Sequence, residues 1–257
     1  MESIQAIPYP LLVGAVFCFG LAIGSFANVC IYRLPRKESV AFPGSHCPGC
    51  SAAVRPQDNI PLISYLVLGG KCRDCATRIS PVYPAIELVT ALLLLAGFFK
   101  FGLTFDFLGY ALVAPTLVII TAIDIEHQII PDVITLPGIV LGLVVGSYTI
   151  GYADSLLGFF LGSGLFYLLA VFSNGGMGGG DIKYIAAAGA LLGWQKVLLV
   201  IFIGAFLGSI VGLFQIAVKK KSRKSLIPFG PFLAAGTLIT LFYGNPLIRL
   251  YLEYVEI

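Results

Sequence analysis

The chain has 257 residues, 58 % of them apolar and only 11 % charged, with a mean hydropathy of +0.95. Soluble domains carry roughly a quarter charged residues, so this composition excludes a soluble globular protein and indicates an integral membrane one. The net charge of +3 matters less than where the charges lie.

The leading segment, MESIQAIPYP, is acidic if anything and is followed by about twenty apolar residues. A cleavable signal peptide has a basic start and a shorter apolar core. Residues 10–31 are therefore read as a retained first transmembrane helix.

Residues 33–81 make the one substantial polar segment, built around CPGC (47–50), 21 intervening residues and CRDC (72–75). Two C-x-x-C pairs at this separation have the spacing of a four-thiolate zinc site, which assigns Cys47, Cys50, Cys72 and Cys75 as ligands. Each pair needs a tight turn, and Gly49 after Pro48 suits one of them. The duller readings are free thiols or two disulfides. A reducing cytosol disfavours disulfides, and a loop this small has little core of its own. Four thiolates leave no open position for water, so the zinc is structural.

Apolar stretches at 82–99, 106–123, 130–151, 154–173, 182–193, 195–218 and 227–244 follow. All but 182–193 approach or reach the length that crosses a bilayer. The expected fold is an all-α polytopic membrane protein of about eight helices, with seven as the alternative should 182–218 be one helix. Charge decides the orientation. With the N-terminus outside, 13 of the 16 Lys and Arg fall inside, including Lys183 and those of 33–81 and 219–224. Only Lys100, Lys196 and Arg249 remain outside, in accord with the cytoplasmic bias of basic residues.

That orientation brings two aspartates to the cytoplasmic boundary although 57 residues separate them: Asp124 in AIDIEHQIIPD and Asp181 in GGMGGGDIK. A carboxylate at membrane depth costs several kcal/mol and is usually functional. Two that meet can share a proton and activate a water. Asp124 as an ordinary helix C-terminal residue fits badly, since negative charge there opposes the macrodipole. Asp132, beside Pro131 at the next helix start, is expected to cap that helix and is the fallback catalyst. His127 is read as a polar loop residue. The glycine run lacks the Gly-Lys-Ser/Thr ending of a phosphate loop. Five glycines in six residues exceed what a turn requires, and they would let an extended substrate approach Asp181. Asp181 then starts a helix, where the dipole favours its ionised form, leaving the shared proton on Asp124.

Several motifs together resemble the bacterial type IV prepilin leader peptidases, intramembrane aspartyl proteases of the GxGD type that also N-methylate their product. GSFANVCIYRLP (24–35), the two cysteine pairs with DNIPLISYL (58–66) between them, and SPVYPAIELVTALLL (80–94) carry the likeness, as do both aspartate motifs and PFGPF (228–232). Gly69 departs from it, since relatives often carry arginine there, and this bears on the methyl-transfer half alone. The resemblance implies Asp124 and Asp181 as catalysts and S-adenosylmethionine as methyl donor. It implies prepilin or pseudopilin substrates of type IV pilus or type II secretion systems, in the inner membrane among lipid. No nucleic-acid partner is expected. It also divides the chain into a first transmembrane helix (1–32), a methyltransferase-associated zinc module (33–81) and a transmembrane peptidase domain (82–257).

The rival reading is a proton- or cation-coupled transporter using the same aspartates, which an even helix count and a glycine-broken helix would suit. The two halves share no visible repeat, and the cysteine loop has no transport logic. A third, a zinc-anchored scaffold without chemistry, leaves the aspartate motifs unexplained.

Overall fold

A computed structural model describes residues 8–173, 176–219 and 227–255. Among them the order is α1 (Tyr9–Arg33), a 3-10 turn (Pro56–Asn59), α2 (Ile63–Val67), α3 (Val82–Phe101), α4 (Phe105–His127) and α5 (Asp132–Thr149). α6 (Tyr152–Phe172), α7 (Gly179–Leu192), α8 (Trp194–Lys219) and α9 (Gly230–Tyr254) follow. Seven are long and apolar enough to cross a membrane. The eighth apolar stretch forms α7, whose 14 residues span about 21 Å against a hydrocarbon core of about 30 Å. The eight expected helices are thus present among the described residues, seven of them long and apolar enough to cross and α7 too short to do so alone. Gly193, at φ 83°, ends α7 directly before Trp194. Lys220, Lys221, Arg223 and Lys224 of the basic loop lie outside the described residues.

The chain divides into two compact units, 1–119 and 120–257. In the first, α1 packs on α3 through small residues, which let helix backbones approach where lipid gives no hydrophobic drive. A Cβ on Gly20 would stand 2.6 Å from Ala91 Cα, and one on Gly24 2.6 Å from Glu87 Cα. Glu87 is buried and accepts the Leu62 N–H at 2.9 Å. Leu62 has φ 59°, a conformation costly for a branched residue, so the acid fixes a strained point of the polar loop. Buried Arg33 ends α1 and donates to the carbonyls of Ser39 (2.9 Å), Pro43 (2.6 Å) and Gly44 (3.3 Å). It thereby satisfies three loop acceptors without an acidic partner among the described residues.

In the second unit α7 is central. Gly142 and Gly146 of α5 face it from one side, Gly158 and Gly162 of α6 from another. Ser155 donates its buried hydroxyl to Ala190 O at 2.7 Å. A Cβ on Gly158 would run into the Gly189 carbonyl, a backbone atom that cannot rotate aside. Gly158→Ala is expected to destabilise the protein by about 1–3 kcal/mol through overpacking. Gly164→Ala on the same helix, with nothing within 4 Å, serves as the control, both read by thermal unfolding in detergent.

Candidate active site and metal centre

Asp124 lies in the last turn of α4, only 5 % exposed. A carboxylate at that helix end opposes the dipole, and the offset comes from elsewhere in the chain. Gly230, the first residue of α9, donates its N–H to Asp124 Oδ2 at 2.8 Å. The first N–H groups of a helix have no partner of their own and carry its positive pole. Asp181 holds the third position of α7, after Gly178, Gly179 and Gly180. Its carboxylate folds back over the start of that helix, where a Cβ on Gly178 would stand 3.1 Å from Asp181 Oδ2. Both acids therefore rest on helix N-termini. The expected asymmetry, with only Asp181 so favoured, does not hold.

Asp124 and Asp181 belong to the same unit, one at the end of α4 and the other at the start of α7. One Asp181 oxygen, Oδ1, is buried and has no hydrogen-bond partner among the described residues. The glycines let the start of α7 come close to the turn that follows α4: a Cβ on Gly180 would stand 2.9 Å from Ile130 Cβ in that turn.

Other polar residues of the two motifs are drawn away. Asp132 makes no capping hydrogen bond, Pro131 occupies the cap position, and Lys183 Nζ lies 2.6 Å from Asp132 Oδ1. The capping expectation for Asp132 is thus corrected: a strong cation partner on α7 takes its carboxylate. His127 Nε2 stands 4.0 Å from Glu126 Oε1 at the end of α4.

Gly230 is the residue the aspartate motifs did not reveal. A Cβ there would sit 2.8 Å from Asp124 Oδ2. If Asp124 is catalytic, as the family resemblance implies, Gly230→Ala should slow peptide hydrolysis about 100-fold by displacing the carboxylate, since a misplacement near 1 Å has that effect. Alanine improves helix propensity, so the expected thermal melt is unchanged or raised. Activity near wild type would show that Asp124 does not need this position.

The four cysteines assemble in the first unit. Their sulfurs all lie within 4.8 Å of one another, and Cys47 Sγ is 3.7 Å from Cys75 Sγ. Zinc–sulfur bonds of about 2.3 Å in a tetrahedron place sulfurs about 3.8 Å apart, so the donor set fits structural zinc. Two matching turns produce it. Cys47 N–H bonds Ala52 O and Ser51 N–H bonds Cys47 O; Cys72 N–H bonds Thr77 O and Ala76 N–H bonds Cys72 O. Bridges His46–Ala53 and Lys71–Arg78 close the pair. The left-handed residue of each turn is Ser51 (φ 58°) or Ala76 (φ 57°). Gly49 instead leaves room for Thr77, whose Oγ1 would lie 2.9 Å from an added Cβ. Hydrogen bonding by Thr77 lowers the Cys75 thiol pKa from its ordinary value. Arg73 clamps Asp58, with its Nη2 2.6 Å from Oδ1, and holds that carboxyl below the usual range.

Two family models match the chain: the bacterial peptidase A24 N-terminal domain over residues 18–101 and the type IV leader peptidase family over 111–213. Three curated relatives named prepilin leader peptidase/N-methyltransferase align over nearly everything. That of Legionella pneumophila is 36 % identical over 99 % of both chains, and that of Pseudomonas aeruginosa 35 % over 91 % of both. That of Bacillus subtilis is 32 % identical over 94 % of this chain and 98 % of its own. No solved structure matches.

Proposed function

The chain belongs to the type IV leader peptidase family, and from that premise we propose that Asp124 and Asp181 cleave the leader from prepilins or pseudopilins. The observation that supports this reading is a buried carboxylate at Asp124 and a half-buried one at Asp181, 57 positions apart in sequence and each set at a helix N-terminus. The ionised member takes a proton from water as the oxygen attacks the scissile carbonyl, and the protonated member donates to the carbonyl oxygen. Collapse breaks the C–N bond, and the departing nitrogen takes the proton. The acids share that proton as a pair. No covalent intermediate forms.

The product's new N-terminal amine is then methylated. S-adenosylmethionine supplies the methyl group as a sulfonium donor; this donor follows from the relatives' methyltransferase name. We assign the peptidase to 82–257 and associate methyl transfer with the structural-zinc module at 33–81, after the first helix (1–32). The protein is a multi-pass bacterial inner-membrane protein, and the bias of Lys and Arg supports an active site at the cytoplasmic face. The transporter reading finds no support among the relatives.

The test is purified protein, a prepilin-type substrate and radiolabelled methyl donor. Cleavage followed by label on the new N-terminus is expected. An intact substrate would sink the peptidase reading, and cleaved but unlabelled product would sink the second activity alone.

A further inference from the structure

Asp181 is held only loosely by its own surroundings. Its Oδ1 has no hydrogen-bond partner among the described residues. The three residues before it are glycines, which have the widest backbone freedom of any residue. From 176 to 183 every residue is exposed or half-buried, and burial on α7 begins only at Tyr184. The first turn of α7 therefore depends on its contacts with the segment that follows Asp124.

Two of those contacts are specific. Gly180 lies against Ile130, where an added Cβ would stand 2.9 Å from Ile130 Cβ and 3.2 Å from its backbone N and O. Lys183 Nζ lies 2.6 Å from Asp132 Oδ1. This ion pair joins the last residues of the two aspartate motifs, AIDIEHQIIPD and GGMGGGDIK. Asp132 follows Asp124 across a turn in which Gln128 N–H bonds Asp124 O at 2.9 Å, and Lys183 is the second residue after Asp181. Two residues turn a helix by about 200°, so Lys183 faces α5 while Asp181 points elsewhere. Any influence of the pair on Asp181 passes through the backbone of the turn they share.

We propose that the Asp132–Lys183 ion pair sets the place of Asp181 for prepilin hydrolysis, which makes both of its members positioning residues. This rests on the peptidase reading given above. Both side chains are partly exposed, 38 % for Lys183 and 57 % for Asp132, and such pairs contribute little to folding stability. The short contact is a charge-assisted bond of defined geometry. It is thus better suited to fixing a register than to holding the fold. Beyond Tyr184, α7 is already packed against the glycines of α5 and α6; the turn that carries Asp181 is not. Displacing a catalytic group by a fraction of its bond length lowers the rate steeply.

Lys183→Met keeps the aliphatic stem and removes one charge, and Asp132→Asn keeps the shape and removes the other. Each should lower kcat for prepilin cleavage by the purified full chain about tenfold, short of the hundredfold that a misplacement of ~1 Å costs. KM should stay within about twofold of wild type, and the thermal melt should be unchanged. Because either change alone breaks the pair, the double variant should be no slower than the single ones. Lys183→Arg, which keeps a cation within reach of Asp132, should return kcat to within about threefold of wild type. Wild-type kcat in either charge-deleting variant, losses that multiply in the double variant, or failure of arginine to rescue would each overturn the proposal. So would a loss confined to KM, the mark of direct substrate binding, or a lowered melt, the mark of a purely structural tie. In all these cases wild type still cleaves prepilin and Asp124→Asn and Asp181→Asn do not. A wild-type protein that leaves prepilin intact would instead remove the premise.

Discussion

Asp124→Asn and Asp181→Asn are each expected to abolish prepilin cleavage, by about 10²–10⁴-fold, while leaving the helices and the zinc content intact. Asparagine keeps the volume and one carbonyl oxygen, so Gly230 N–H can still find an acceptor at position 124. What is lost is the second role: one remaining carboxylate can serve as base or as acid, but not as both in the same step. Because the two acids act as one unit, the double variant should be hardly slower than either single one, as is usual for groups that work together. The measurement is single-turnover cleavage of purified prepilin alongside a detergent melt. Either variant cleaving within about threefold of wild type would remove that residue from the mechanism. Methylation of precleaved product by the same variants should persist, which separates a dead peptidase from an unfolded protein.

How much of this was legible depended on the reach of each interaction. Helices announced themselves, since composition and length suffice: residues 10–31 and 82–99 of the sequence reading became Tyr9–Arg33 and Val82–Phe101. The last helix runs to Tyr254 and not 244, because Pro246 is accommodated inside it. A membrane helix tolerates the lost hydrogen bond where neighbours compensate. The aspartates were legible as anomalies, polar groups where apolar runs end. Their surroundings were not. The backbone N–H that holds Asp124 comes from a residue 106 positions away, and nothing at 124 specifies it. Asp132 illustrates the same limit. Beside a proline at a helix start, local rules favour a cap, yet Lys183, 51 positions on, offers a full charge at 2.6 Å. The cysteine pairs gave the four-sulfur cluster by spacing alone, but the left-handed turn residues fell on Ser51 and Ala76. Propensity would not choose either, and the bonds that close each knuckle impose them.

Cys72→Ser should have the second large effect, confined to the first unit. Structural zinc contributes roughly 10–16 kcal/mol to folding in small metal-bound modules, far more than the few contacts of this loop supply. The wild-type protein is expected to hold one zinc by metal analysis, and the variant none. Loss of the metal leaves clustered sulfurs without a cation, and the two knuckles no longer fix Leu62, whose N–H is held by Glu87 at 2.9 Å. Limited proteolysis should then cut between residues 33 and 81 at protease levels that spare wild type. Methyl transfer should fall below detection, while cleavage by Asp124 and Asp181, which lie in the other unit, should persist at no less than about a tenth of wild type. Chelation of the wild-type protein should reproduce the pattern and added zinc should reverse it. A zinc-free wild type that methylates normally would refute the metal assignment, and cleavage lost in step with methylation would refute the division of labour between the module and the peptidase domain.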